Sequence, residues 1–349
     1  MFQRILVPLD GSARAEEAIP TAAYLARTTG ASLFLLRVIT PSFTYVSTYP
    51  YSWEPPDALE LAMEQGQAEA YDYLAHVVLT EHVDDIHYYV AVEDGQPISR
   101  VLQFVRENQI DLIVMRSHGE AGIRRWLLGS VARGIVRRSP VPALIIRDAC
   151  GQAISKPQEL QHKLRILVPL DGTHFAESAL LPAAQLSAAL ASPAQGAIHL
   201  TQTVLYIREG GERRRELITR INKDTQAEAE AYLKSVEQRF QTGDLAQFHL
   251  QVTSSVVPHS DHAEIWKRIL EEAGQAQLRS LSSPGPNDLP AYATCDIIAM
   301  ATHGRHGLEH LLEGSVTESV LDASIYPLLV AHTQNAETDE EIVKETKRA

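Results

Sequence analysis

The sequence predicts an α/β protein made of two similar domains, each a parallel sheet covered by helices on both faces. Three observations carry this expectation. The octet RILVPLDG at residues 4–11 recurs letter for letter at residues 165–172, an offset of 161. A second set of landmarks, Ser117-His118-Gly119 with Gly129-Ser130-Val131, returns as Thr302-His303-Gly304 with Gly314-Ser315-Val316 at an offset of 185, so the second copy carries 24 more residues between its landmarks. Short apolar runs also alternate with helix-length amphipathic stretches, the pattern of βα units and a parallel sheet. Repeats this long are domains, since solenoid units run to only ~20 to 50 residues.

In the first copy, residues 5–9 form a strand, and Ser12 is placed to cap a helix that runs through Arg27 and closes at Gly30. Pro20 falls inside that helix and Pro182 one position later in its counterpart, so both helices are expected to kink there. A strand over 33–39, a helix over 58–80, a strand over 86–92 and a helix over 98–108 follow. Then come a strand over 112–115, a glycine-bearing loop, a helix over 130–138 and a last strand over 143–147. The uninterrupted run Leu112-Ile113-Val114-Met115 suits a strand buried on both faces. Matching Arg37-Val38-Ile39 to Thr203-Val204-Leu205 gives an offset of 166, which assigns five of the extra residues to the turn at 192–196. Most of the rest belong to the Pro/Gly/Ser-rich stretch at 275–292. The expected division is one domain over 1–148, a polar linker over 149–163, a second domain over 164–333 and a charged tail over 334–349.

The chain has 349 residues, with 31 Lys+Arg against 44 Asp+Glu and a net charge of −13. Duplex binding relies on a basic face, so nucleic acid is not an expected partner. Two cysteines provide no disulfide framework, residues 1–10 lack the pattern of a signal peptide, and no apolar run reaches the ~18 to 20 residues of a membrane span. A soluble cytoplasmic protein is the expectation.

In open α/β sheets, ligands bind beyond the carboxyl ends of the strands, where strand order reverses. Asp10 and Asp171 close the first strands, and Gly119 and Gly304 follow the fourth. The spacing Gly119-x9-Gly129-Ser130, repeated as Gly304-x9-Gly314-Ser315, sets a glycine and a hydroxyl at a helix start. Free N–H groups and the dipole there can hold a phosphate without a lysine.

These residues resemble the universal stress protein family. The first copy does so through ILVPLDGS (5–12), DLIVMRSHG (111–119) and LLGSVARGIVRRSPVPALIIR (127–147). The second does so through ILVPLDGT (166–173), DIIAMATHG (296–304) and EGSVTESVLDASIYPLLVAH (313–332). The resemblance covers residues 2–148 and 164–332. It implies two Rossmann-like domains of the adenine nucleotide alpha hydrolase type, each with a five-stranded parallel sheet. It further implies an adenine nucleotide ligand, ATP foremost, with or without Mg2+. By that resemblance Asp10, Val38, Asp171 and Val204 contact the adenosine portion. Gly119, Gly129, Ser130 and Val131, with Gly304, Gly314, Ser315, Val316 and Thr317, line the phosphates. The family motif G-x2-G-x9-G-[ST] loses its first glycine in both copies, to Arg116 and to Ala301. Alanine adds one methyl, whereas Arg116 either crowds the phosphate path or contacts phosphate itself, so the second copy is the better match.

Plainer roles stand beside these. Asp-Gly makes turns, the two valines suit a core, Ser130 and Ser315 suit helix caps, and His118 and His303 suit loop ordering. His306 and His310 have a metal-compatible spacing with His259, Asp261 and His262 upstream, but the first copy has no counterpart and no metal is expected. No P-loop, dinucleotide fingerprint or nucleophile elbow occurs. Arg213-Arg214-Arg215 reads as a solvated face ahead of a phosphate contact, and the aromatic stretch at 41–56 as a lid or an interdomain pad. The final apolar strands would leave open edges unless the two domains pair as an internal pseudo-dimer; a further homodimer stays open. The expected function is a nucleotide-dependent stress-response regulator. A slow ATPase and a nucleotide-free scaffold with degenerate sites are the alternatives, and no dedicated catalytic residue is identified.

Overall fold

The computed structural model describes residues 1–40, 58–117, 128–147, 154, 163–207, 211–261, 264–274, 295–302 and 316–332. The first half supplies strands β1 (Arg4–Leu9), β2 (Ser32–Ile39), β3 (Tyr88–Asp94), β4 (Leu112–Arg116) and β5 (Ala143–Ile146). The second supplies β6 (Arg165–Leu170), β7 (Ala197–Leu205), β8 (Gln251–His259), β9 (Ile297–Thr302) and β10 (Leu328–His332). All ten join in one sheet, in the order β3-β2-β1-β4-β5-β10-β9-β6-β7-β8. Pairing is parallel within each half. It is antiparallel at the centre, where Leu328, Leu329 and Val330 face Ile145, Leu144 and Ala143. The two apolar edges thus cover each other.

Helices cover both faces. On one lie α1 (Ala13–Glu16), α2 (Ile19–Thr29) and α3 (Ala58–Thr80), with α6 (His174–Glu177), α7 (Leu180–Ala191) and α8 (Gly211–Gln241). On the other lie α4 (Pro97–Glu107) and α5 (Ser130–Arg138), with α9 (Ile265–Glu272) and α10 (Val316–Ala323). Strand alternation divides the core accordingly. Ile5, Val7, Leu33 and Leu35 pack with α2 and α3, while Leu6, Phe34 and Leu36 pack with α4 and α5. Each layer runs across both halves, and Tyr24 Oη on α2 donates to the Ser192 carbonyl at 2.9 Å.

Several sequence expectations shift. The kinked helix is a break: α1 ends at Glu16 and α2 starts at Ile19, with Pro20 in its first turn, where no intrahelical N–H is needed. The same break separates α6 from α7. Strand β3 begins two residues later than expected and runs on through Glu93 and Asp94, because pairing with β2 rather than apolarity sets its ends. Ile154, inside the expected polar linker, is fully buried in the α2-side core.

The offset of 166 is corrected by the sheet register. Arg4 pairs Ser32 and Arg165 pairs Ala197, so the second strands are related by 165 residues and the turn between β6 and the strand beside it gains four residues rather than five. Val38 therefore corresponds to Thr203, and Val204 to Ile39. A one-residue slip turns a side chain to the other face. Val38 packs on the α4 side, and Val204, buried, lies by strand alternation along β7 on the face of Ile198 and Leu200.

Leu329 is fully buried in the central antiparallel pair. Leu329→Ala should lower the unfolding free energy by about 2–5 kcal/mol, read by urea denaturation.

Candidate functional site

In each half the strand order reverses once, between β1 and β4 and between β6 and β9. The chain leaves β1 and β6 through the same turn. Asp10 Oδ1 accepts from the Ser12 N–H at 3.0 Å and from its hydroxyl at 2.6 Å, and Ser12 Oγ accepts from the Ala15 N–H to cap α1. Asp171 Oδ1 accepts from the Thr173 N–H at 2.9 Å and hydroxyl at 2.6 Å, and Thr173 Oγ1 caps α6 through Ala176. Both aspartates are exposed, and neither Oδ2 has a hydrogen-bond partner among the described residues. The turn and the ligand readings therefore coexist, one oxygen being used and one left. Gly11 and Gly172 sit at φ +86° and +85°, a backbone conformation that favours glycine at both positions.

Behind the turns stands a related pair. Tyr232 Oη donates to Glu177 Oε1 at 3.0 Å, and Arg239 Nη1 donates to Glu177 Oε2 at 2.8 Å. Tyr73 stands correspondingly near Glu16; burial first, and the carboxylate second, push both phenols above their ordinary range. The signal was available in the sequence, since Glu16 and Glu177 share the offset of the octet.

The crevices differ at their floors. In the first half Arg116, at the end of β4, is 6% exposed and its Nη2 lies 2.6 Å from Glu17 Oε2. Arg37 closes the adjoining side: Nη1 donates to the Leu9 carbonyl at 3.4 Å, and a Cβ on Gly11 would stand 3.0 Å from Nη2. In the second half Ser178, Ala301 and Gln202 occupy the positions of Glu17, Arg116 and Arg37. A Cβ on Gly172 would lie 3.6 Å from Gln202 Nε2. Two guanidiniums thus occupy the first crevice, and small or neutral side chains stand at the matching positions of the second.

Gly129 is the cap residue of α5 and Ser130 its first residue, exposed and without a capping bond, which corrects the reading of Ser130 as a cap. The Gly129 N–H donates to the Ser117 carbonyl at 2.7 Å, tying the helix start to the end of β4. Val131 and Val316 pack against the α4-side core. Thr317 Oγ1 donates to the Ala301 carbonyl at 3.0 Å, which ties the start of α10 to the end of β9. Gly119, Gly304, Gly314 and Ser315, with His118, His303, His306, His310 and the aromatic stretch at 41–56, lie outside the described residues. His259 is buried with Nδ1 3.0 Å from the Asp261 carbonyl oxygen, and no group of three metal-ligating side chains forms among the described residues. No helix among them is long and apolar enough to cross a membrane.

These halves define a protein of doubly wound α/β sheets with a crevice at each reversal of strand order. The universal stress protein family profile matches residues 1–147 and 282–332, and the chain belongs to that family. A universal stress protein of Methanocaldococcus jannaschii is 28% identical over 147 residues, 42% of this chain and 83% of its own length. One from Bacillus subtilis is 26% identical over 148 residues, 42% of this chain and all of its own. Among solved structures, a universal stress protein from Archaeoglobus fulgidus superposes with a TM-score of 0.59 at 17% identity, covering 94% of this chain and 98% of that one. A putative universal stress protein from Pseudomonas aeruginosa does so at 0.57 and 14%, covering 95% and 93%.

The halves also differ under α4 and α9. Phe34 stacks on Tyr89 with ring centroids 4.8 Å apart. The corresponding β7 and β8 positions hold His199 and Thr253, with Nδ1 2.8 Å from Thr253 Oγ1. His199 Nε2 lies 3.0 Å from Glu272 Oε1, which also accepts from Ser255 Oγ at 2.6 Å. The His199 bond, aided by Ser255 and opposed by burial, holds the Glu272 carboxyl below its ordinary range. Its stabilisation is therefore present above the usual carboxylate value of ~4.3 and is lost as pH falls through the folded value. Glu272→Gln should destabilise the protein at neutral pH, and urea titrations should show the difference from the parent shrinking toward pH 3.

Proposed function

We infer that the chain is a tandem universal stress protein that binds an adenine nucleotide, ATP foremost, chiefly in the crevice of its second half. Occupancy there regulates its response to stress. The observation that carries this is the Asp171 carboxylate at the reversal of strand order, one oxygen held by Thr173 and the other without a partner among the described residues. A free carboxylate oxygen accepts from ribose hydroxyls or an exocyclic amine. The resemblance to nucleotide-binding members assigns Gly304, Gly314 and Ser315 to the phosphates, with any Mg2+ arriving on them. Thr203, rather than Val204, takes the adenosine-side position that Val38 holds in the first half.

The first half serves mainly as the structural partner, because Arg116 and Arg37 occupy its crevice. That part of the scaffold reading is favoured there alone. Binding, rather than turnover, is the role we assign to the second crevice.

Calorimetry with ATP, ADP and AMP tests this. One nucleotide per chain should bind. Asp171→Ala should weaken it by about 10-fold or more, the scale of a lost charge-assisted hydrogen bond, while Asp10→Ala has little effect. Gly314→Val should abolish binding. No heat with any of the three nucleotides overturns the reading, and phosphate release by the pure protein would establish the ATPase instead.

A further inference from the structure

The helices flanking the central strand pair carry opposite charges at related positions. Arg133 Nη2 on α5 lies 2.5 Å from Asp322 Oδ1 on α10. Arg137 Nε donates to Glu318 Oε1 at 2.8 Å. Arg133 and Glu318 are 185 residues apart, as are Arg137 and Asp322, the same offset that relates β4 to β9 and β5 to β10. The two contacts are therefore one contact made twice across a pseudo-two-fold axis, with every cation in the first half and every anion in the second. Arg147 adds a buried cation to the first half: its Nη2 donates to the Leu321 carbonyl, while a histidine, His332, stands at the related position.

A true two-fold interface is self-complementary, so residue i meets residue j of the other copy and j meets i. Applied to the first half alone, that rule sets Arg133 of one copy beside Arg137 of another, twice, with two Arg147 side chains buried nearby. Applied to the second half alone, it sets Glu318 beside Asp322, twice. Both arrangements juxtapose like charges, whereas the unlike halves match at each position.

We propose that the α5 and α10 faces form a charge code that lets the edge strand β5 accept only a β10 edge, which closes this seam to symmetric pairing between like halves of two chains. The partner this surface fits is an acidic second half. The ion pairs are partly exposed, so their main effect is discrimination rather than cohesion. The apolar strands β5 and β10 supply the cohesion and would by themselves accept either partner.

Charge reversal in the full chain tests this. R133E/R137D makes both faces acidic and E318R/D322R makes both basic. Each should lower the thermal midpoint at low salt, by about 2–4 °C or more, and the loss should shrink in 0.5 M salt. The fourfold exchange restores opposite charges with their sides swapped and should recover most of the loss. R133Q/R137Q, which removes attraction without adding repulsion, should lose less than R133E/R137D. If a reversed variant does not fold, the fourfold variant must still fold with the parent's mass by light scattering. A fourfold variant no more stable than the reversed pairs, or reversed pairs equal to the parent, would overturn the proposal.

Discussion

A parallel sheet ends on strands whose outward N–H and C=O groups need partners, and here two such ends meet. The antiparallel pairing of β5 with β10 satisfies both and makes a ten-stranded sheet from two five-stranded ones. Much else depends on that seam. It makes the cores on the two faces continuous, sets α5 beside α10, and brings α2 within reach of the turn after α7. It also directs the two crevices away from a shared edge, because each reversal of strand order lies two strands in from the seam.

Once joined, the halves are free to diverge. One copy of a duplicated domain can maintain the sheet while the other keeps its crevice open. The contrast appears at matched positions: Glu17 and Arg116 against Ser178 and Ala301, Arg37 against Gln202, and the Phe34–Tyr89 stack against the His199–Glu272 network. In each case the first half fills space with large side chains, and the second keeps small or polar ones. The seam shows the same division in charge, with arginines on one side and carboxylates on the other.

Of the site, the Asp-Gly turns were legible, because a repeated octet with a capping hydroxyl two residues after the carboxylate allows few other local structures. The equivalence of Val38 with Val204 was misread. Loop growth between the first two strands let two alignments one residue apart look alike, and only the ladder from Arg165–Ala197 onward decides between them. The role of Arg116 stood between crowding the phosphate path and contacting phosphate. Its partner, Glu17, is distant in sequence and meets it only when β4 lies against the bend between α1 and α2.

The sequence by itself determined the duplication, the alternation of strands and helices, the acidic charge and the paired carboxylate turns. These are local patterns or repeats, and both can be read along one dimension. The tertiary structure alone decided which residues share a face, which crevice is filled and which charges meet. Arg133 and Asp322 are 189 residues apart, as remote as any pair whose contact depends on two strand edges having already joined. No local spacing carries that information, because it resides in the register of the sheet.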